Sequence, residues 1–290
     1  MTLYCLRAKV LMDQAEFSEQ HKIWNKVSSG WKKWDFFITE WLGNAGAQLL
    51  EMADVRDNMR VLDVAAGSGE PGLTIARKFP ACKVIGTDVS EEMTRIALEK
   101  ASAETLENYT AVACDSSKMP FQDNYFDIAL SRFGVMYFSD MHSTINEMKR
   151  MLKSGGRIAL NAWSSPEKNS WATLISSTIH EKLNLPAPPA DAVGNLFRCS
   201  KAGTLSSLLE QTGFGDIEEL ESSGEVTLDS AEQYWNIMTE IAGPIAAALA
   251  KASKDEYVEI KETVLEKART HEHESKVKLN WAVWTASGTK

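Results

Sequence analysis

The stretch that most constrains how this 290-residue chain can fold begins at Arg60. Arg60–Ala65 (RVLDVA) is a short apolar run rich in β-branched residues and reads as a buried strand. It runs into Gly67-Ser68-Gly69-Glu70-Pro71-Gly72, a turn, and then into a helical pattern ending near Phe79. A buried strand, a glycine turn and a helix form the first half of a βαβ unit, which implies a parallel α/β sheet with helices on its faces. The alternation continues with a strand at Lys83–Asp88 and a helix capped by Ser90. Glu91 and Glu92 favour that helix's first turn, and Met93, Ile96, Ala97 and Ala101 form its apolar face. Tyr109–Ala113 and Phe126–Ser131 read as the next strands. A helix from about Asp140 to Leu152 carries Met141, Ile145, Met148 and Leu152 on one side, with Gly155-Gly156 as its expected stop. Strands at Arg157–Ala162, Ile217–Leu220 and Val277–Thr285, and a helix over residues 201–212, complete the pattern.

Three segments fall outside it: an aromatic N-terminal arm (residues 1–55), residues 164–199 and residues 225–275. Pro186, Pro188 and Pro189 predict a loop in the second, and Tyr257, Ile260, Val264 and Ala268 make one helical stripe in the third. The three read together as a largely helical cap over the carboxyl ends of the strands, where open α/β sheets bind ligands. The core is then 56–163 with 200–222, closed by a final strand in 276–290. The net charge of −9 leaves no electrostatic footprint for nucleic acid. Cys5, Cys82, Cys114 and Cys199 are scattered without a CxxC pair, which fits free thiols in the cytoplasm and neither a disulfide framework nor a zinc site. No apolar run reaches the length of a membrane span. Met1–Met12 carries Arg7 and Lys9 with no acid before Asp13, a pattern also seen in targeting remnants.

The glycine turn matches G-x-G-x-x-G, and Asp88 follows Gly67 by 21 residues, where an acid accepts hydrogen bonds from ribose hydroxyls. Both features suit NAD and S-adenosylmethionine alike, since both carry an adenosine. Asp63, four positions before Gly67, favours the second: a carboxylate there repels a pyrophosphate and attracts a sulfonium or an amino group. Asp115-Ser116 closes the third strand ahead of Met119-Pro120-Phe121. An acid there either accepts from an adenine amino group or simply forms the turn. An NAD-dependent oxidoreductase leaves Asp63 and Asp115 without a role.

Four ordered blocks, VLDVAAGSGEPG (61–72), VIGTDVSEEM (84–93), CDSSKMPFQDNYFDIALSRFGVMYFSD (114–140) and MKRMLKSGGRIALNAW (148–163), resemble class I S-adenosylmethionine-dependent methyltransferases, and among them the ubiquinone and menaquinone C-methyltransferase group. The resemblance spans roughly residues 25–222. It implies a Rossmann-like, mostly parallel seven-stranded sheet with an antiparallel last strand. It also implies S-adenosylmethionine held by Asp63, Gly67, Ser68, Gly69, Asp88, Val89, Met93, Asp115 and Ser116, with Arg132 a further candidate contact, and S-adenosylhomocysteine as the product. The group usually has a serine phrase of the S-F-G-L-R-N kind after strand four, whereas this chain reads Arg132-Phe133-Gly134-Val135-Met136-Tyr137. Quinone biosynthesis therefore does not transfer with the fold.

Methyl transfer from a sulfonium needs alignment and exclusion of water, and a base only when the acceptor is protonated. The reading is a small apolar or aromatic acceptor attacking through oxygen, sulfur, nitrogen or carbon. His142 is the candidate base, and a surface histidine is the plainer alternative. His271-Glu272-His273 has charged flanks and reads as a solvated helix end, so no metal is expected. Trp24, Trp31, Trp34, Phe36, Phe37 and Trp41 crowd the arm. Trp31 and Trp34 share a helical face, with Trp41 seven residues further on, as in either an aromatic lid or ordinary helix packing. Trp31, Trp34, Phe133, Tyr137 and Trp163 are the candidate acceptor contacts, and Tyr137 is also the candidate catalytic polar group. A non-catalytic S-adenosylmethionine-binding protein remains an alternative, because no obligatory catalytic residue exists to be missing. The sequence leaves the oligomeric state undetermined.

Overall fold

A computed structural model describes residues 19–290; the Met1–Met12 pattern, Cys5 and the start of the aromatic arm lie outside the described residues. The arm supplies α1 (Glu19–Lys33), α2 (Asp35–Trp41) and α3 (Gly43–Met52). The core then runs β1 (Arg60–Val64), α4 (Gly72–Lys78), β2 (Lys83–Asp88), α5 (Glu91–Ala103), β3 (Tyr109–Ala113), β4 (Phe126–Arg132), α6 (Met141–Met151) and β5 (Leu152–Trp163). After it come α7 (Ser170–Lys182), α8 (Thr204–Gln211), β6 (Gly215–Leu228), α9 (Ala231–Ile241), α10 (Gly243–Leu249), α11 (Lys254–Arg269), β7 (Glu272–His273) and β8 (Lys276–Thr289).

The strand order is β3-β2-β1-β4-β5-β8-β6, with the two-residue β7 attached to β8. The five strands β1 to β5 pair in parallel, and β8 runs antiparallel to both β5 and β6. The expected α/β sheet is therefore present, with β7 as a small addition. Strand alternation splits the apolar residues between two faces. Val61, Ile128 and Leu130 pack with Leu49 of α3, Leu73 and Ile75 of α4 and Ala97 of α5. Leu62, Val64 and Ala129 face the layer holding Ile145 and Met148 of α6 and Leu205 and Leu208 of α8. Thus α3, although part of the aromatic arm, covers the sheet. Among the described residues no helix is long and apolar enough to cross a membrane.

Several boundaries differ from the sequence expectation. The strand expected at Ile217–Leu220 extends from Gly215 to Leu228, so residues 225–228 belong to the sheet. Its extension, Glu221-Ser222-Ser223-Gly224-Glu225, is polar and lies on the sheet edge. Backbone pairing to β8 holds it rather than burial, which hydrophobic alternation does not register. Gly155-Gly156 does not stop α6: the chain passes directly from Met151 into β5 at Leu152, and both glycines lie within the strand. Residues 170–182, within the expected cap segment 164–199, form α7, while the stretch with Pro186, Pro188 and Pro189 that follows is irregular.

The cap packs on the arm at one tight crossing. A Cβ at Gly30 would lie 2.1 Å from the Glu240 carbonyl oxygen, so glycine is required where α1 meets α9. Nearby the Trp31 Nε1–H donates to the Ile241 carbonyl at 3.0 Å.

Candidate active site

The carboxyl ends of β1 and β2 carry the first part of the site. The glycine turn passes through left-handed backbone at Ala65 (φ 57°), Gly67 (φ 53°) and Gly69 (φ 106°). A Cβ at Gly67 would have no atom within 4 Å, so the backbone there is open to close approach. Asp88 ends β2 and holds this turn: Oδ2 accepts from the Gly67 N–H at 2.9 Å and Oδ1 from the Ser90 N–H at 2.9 Å. Ser90 in turn caps α5 by accepting from the Met93 N–H at 3.1 Å. Burial raises the Asp88 pKa, and the backbone donors oppose that shift.

Asp63 lies beneath the turn. Its Oδ2 accepts from the Gly72 N–H at 2.9 Å, while Oδ1 is buried without a hydrogen-bond partner. Burial pushes its pKa up to about 8, against the pull of the Gly72 N–H and the Arg132 charge. Arg132, at the end of β4, is the opposite case. Its guanidinium makes no hydrogen bond or ion pair to a described residue, and the charges of Glu70, Asp63 and Asp35 act on it from a distance. Glu70 is already engaged by Thr74 (2.7 Å) and Arg77 (2.8 Å).

One cavity of about 1470 Å³ opens over these strand ends. Of the expected cofactor contacts it gathers Gly67, Ser68, Asp88, Val89, Met93, Asp115, Ser116 and Arg132; Asp63 and Gly69 support the turn from below and do not line it. Asp115 is exposed at the rim, and its Oδ1 accepts from the Ser117 N–H at 2.8 Å, closing the turn after β3.

Beyond Arg132 the cavity becomes aromatic. Phe133 stacks on Trp163 with centroids 4.2 Å apart and planes 10° from parallel. Trp163 leans on Trp171 at 4.5 Å, and Trp41 meets Trp171 edge-on at 4.7 Å. Phe133 adopts left-handed backbone (φ 58°), a costly conformation for a bulky residue. Its N–H is held by the Asn161 side-chain oxygen at 3.0 Å. Tyr137 packs edge-on against Trp24 at 5.0 Å, and its hydroxyl has no hydrogen-bond partner among the described residues. Burial raises its pKa, so at neutral pH the hydroxyl stays protonated and can donate.

The remaining candidates lie elsewhere. His142 is exposed outside the cavity, with Nε2 2.8 Å from Gln211 Oε1, because the first turn of α6 presents it to solvent beside α8. Trp34 does not line the cavity either: its Nε1–H donates to Glu240 at 2.8 Å. The chain turns at Trp34 between α1 and α2 (φ −99°, ψ 14°), so the continuous helical stripe assumed for Trp31, Trp34 and Trp41 is broken. Trp24, Trp31 and Trp41 line the cavity, whereas Phe36 is 77% exposed. His271 and His273 are exposed near the α11–β7 junction. The sequence reading missed His180, which the cavity does include. With Thr173, Ser176 and Ser177 it follows i, i+3, i+4, i+7 spacing, a polar helical stripe that a search for apolar periodicity passes over.

A methyltransferase domain family matches residues 55–207, more than half of the chain. The ubiquinone/menaquinone biosynthesis C-methyltransferase UbiE of Cupriavidus metallidurans is 27% identical over 194 residues, covering 64% of this chain and 79% of that protein. The UbiE of Burkholderia mallei is 29% identical over 185 residues, covering 61% and 76%. Among solved structures, the YcgJ protein from Bacillus subtilis shares the fold with a TM-score of 0.57 at 20% identity, over 86% of this chain and 98% of that one. Haemonchus contortus phosphoethanolamine N-methyltransferase 2, solved with phosphomonomethylethanolamine and S-adenosylhomocysteine, superposes with a TM-score of 0.50 at 20% identity, over 85% of this chain and 53% of that one. With its strand order, its glycine turn and the acid closing β2, the chain belongs to the methyltransferase domain family and is a class I S-adenosylmethionine-dependent methyltransferase.

Proposed function

We propose that this enzyme methylates a small but bulky apolar or aromatic acceptor, through an oxygen, sulfur, nitrogen or carbon nucleophile. The observation that carries this reading is the single cavity of about 1470 Å³ that joins the Gly67–Asp88 turn to the Phe133–Trp163 stack. It is larger than the roughly 300–1,000 Å³ of an ordinary small-molecule site, leaving room for a cofactor and an acceptor side by side.

The site's own groups fit S-adenosylmethionine. The open backbone at Gly67 and Ser68 permits close approach, and Asp88 keeps lone pairs for ribose hydroxyls after accepting its two backbone donors. Val89 and Met93 offer apolar contact for an adenine, with Asp115 and Ser116 at its polar edge. Arg132 is a cavity cation with no direct partner among the described residues, and its fork suits the methionine carboxylate. Asp63 and Gly69 act indirectly by setting the turn.

When bound, S-adenosylmethionine supplies an activated methyl group on a cationic sulfur. The chain's part is to align the acceptor and keep water out. Phe133, Trp163 and Trp31 give the acceptor an apolar bed, and the Tyr137 hydroxyl donates a hydrogen bond that orients it. Residues 56–163, 200–228 and 276–290 then form the cofactor-binding core, with the arm and the remaining segments as its cap. The cytoplasm suits the three thiols among the described residues, which are buried or half-buried, and burial pushes the Cys114 thiol up to about 12.

Turnover of S-adenosylmethionine against a panel of phenols, thiols, amines and activated-carbon acceptors tests the reading. Activity is expected on bulky aromatic members. Activity confined to small, fully polar acceptors would overturn the assignment.

A further inference from the structure

Resting on that reading, we propose that α7 forms an oxygen-reading wall of the acceptor chamber. Thr173, Ser176, Ser177 and His180 hydrogen-bond hydroxyl or keto oxygens set along a rigid apolar acceptor, away from the atom that receives the methyl group.

All four side chains line the cavity, and their spacing places them on one face of α7. The helix's other faces, with Leu174, Ile175, Thr178 and Ile179, are buried in the core. The hydroxyls make only long bonds to carbonyls of their own helix region, at 3.2 Å for Thr173, 3.5 Å for Ser176 and 3.4 Å for Ser177. Their acceptor lone pairs stay unused. The His180 ring makes no hydrogen bond to a described residue. Polar groups turned toward a largely apolar chamber gain most from a ligand that carries matching oxygens. Independently, Tyr137 lines the same cavity, and its hydroxyl has no hydrogen-bond partner among the described residues.

Space and length narrow the class. Beside α7, α10 lines the chamber with Ala247 and Ala248, whose small side chains leave it wide. Seven residues of helix separate Thr173 from His180, about 10 Å at 1.5 Å per residue. The acceptor is therefore a polyoxygenated fused-ring or similarly extended molecule, and a short amine or alcohol cannot span the wall.

Calorimetry on the full chain saturated with S-adenosylhomocysteine tests this, using 2,6-dihydroxynaphthalene, 2-naphthol and naphthalene as probes. The wild type is expected to bind the diol about tenfold more tightly than naphthalene, with 2-naphthol between them. In T173V/S176A/H180F that preference should collapse to about twofold, while affinity for S-adenosylhomocysteine stays unchanged. The single variant H180Q, which keeps a hydrogen-bonding side chain on the same helix position, serves if the triple variant does not fold; it should alter the preference about threefold. Equal affinity for the three probes, no binding of the diol, or a preference that survives in the folded variants would overturn the proposal. Loss of S-adenosylhomocysteine binding by the wild type would instead remove the methyltransferase reading beneath it.

Discussion

At one end of the cavity the lining groups come almost entirely from a single run, Ala65 to Ser116, joined by Arg132. At the other end they come from α1, α2, the turn after β4, the end of β5, α7, the loop before α8 and α10. On the function proposed above, the first end binds through backbone N–H groups, turn geometry and the Asp88 carboxylate, all fixed by neighbours in sequence. The second is lined by side chains whose meeting depends on how distant helices cross. A cofactor common to many enzymes can be held by a local device, whereas a specific acceptor needs a chamber assembled from many segments.

The comparison breaks most sharply at Asp88. Because this carboxylate holds both the Gly67 and Ser90 N–H groups, Asp88→Ala should remove the turn's brace together with the ribose acceptor. S-adenosylhomocysteine affinity should fall on the order of a hundredfold by calorimetry, given about 1.5–3 kcal/mol per charge-assisted bond. A drop of less than threefold would mean that the cofactor end does not rest on this local device.

Arg132→Gln should weaken S-adenosylhomocysteine binding by roughly tenfold, the worth of one charged contact. Its melting temperature should hold or rise, since the guanidinium has no direct partner among the described residues to lose. A large loss of stability with unchanged affinity would make Arg132 structural.

Asp63 sharpens the contrast through pH. Its folded pKa of about 8 stands far above the ordinary 3.8, so between those values the folded state keeps a proton that the unfolded chain has released. That contribution to stability is full below pH 4 and is lost as pH rises through 8. Asp63→Asn removes the titration and keeps an acceptor for the Gly72 N–H. Melting temperatures from pH 5 to 8 should decline less steeply in the variant than in the wild type, and identical slopes would refute the buried-acid account.

The smallest effect is expected at His142, which is exposed and pairs with Gln211. His142→Ala should change kcat/KM by less than about twofold, the range of a surface substitution. A loss of a hundredfold would place the acceptor end somewhere other than the aromatic chamber.

The sequence by itself determined the parallel sheet, the glycine turn and the acid that closes β2. Each rests on short-range facts: apolar runs of strand length, left-handed backbone that Gly67 and Gly69 adopt readily, and an acid at a strand end. The tertiary structure alone decided which aromatics face the cavity. A turn at Trp34 sends that ring to Glu240, while Trp31 and Trp41 face inward. It also decided that Glu221 to Glu225 join the sheet, that His180 rather than His142 enters the chamber, and that Arg132 has no direct partner among the described residues. Periodicity reports which side of an element is apolar, but not what packs against it. Partner strands, helix crossings and the Gly30–Glu240 contact supply that information, and they exist only once the whole chain has come together.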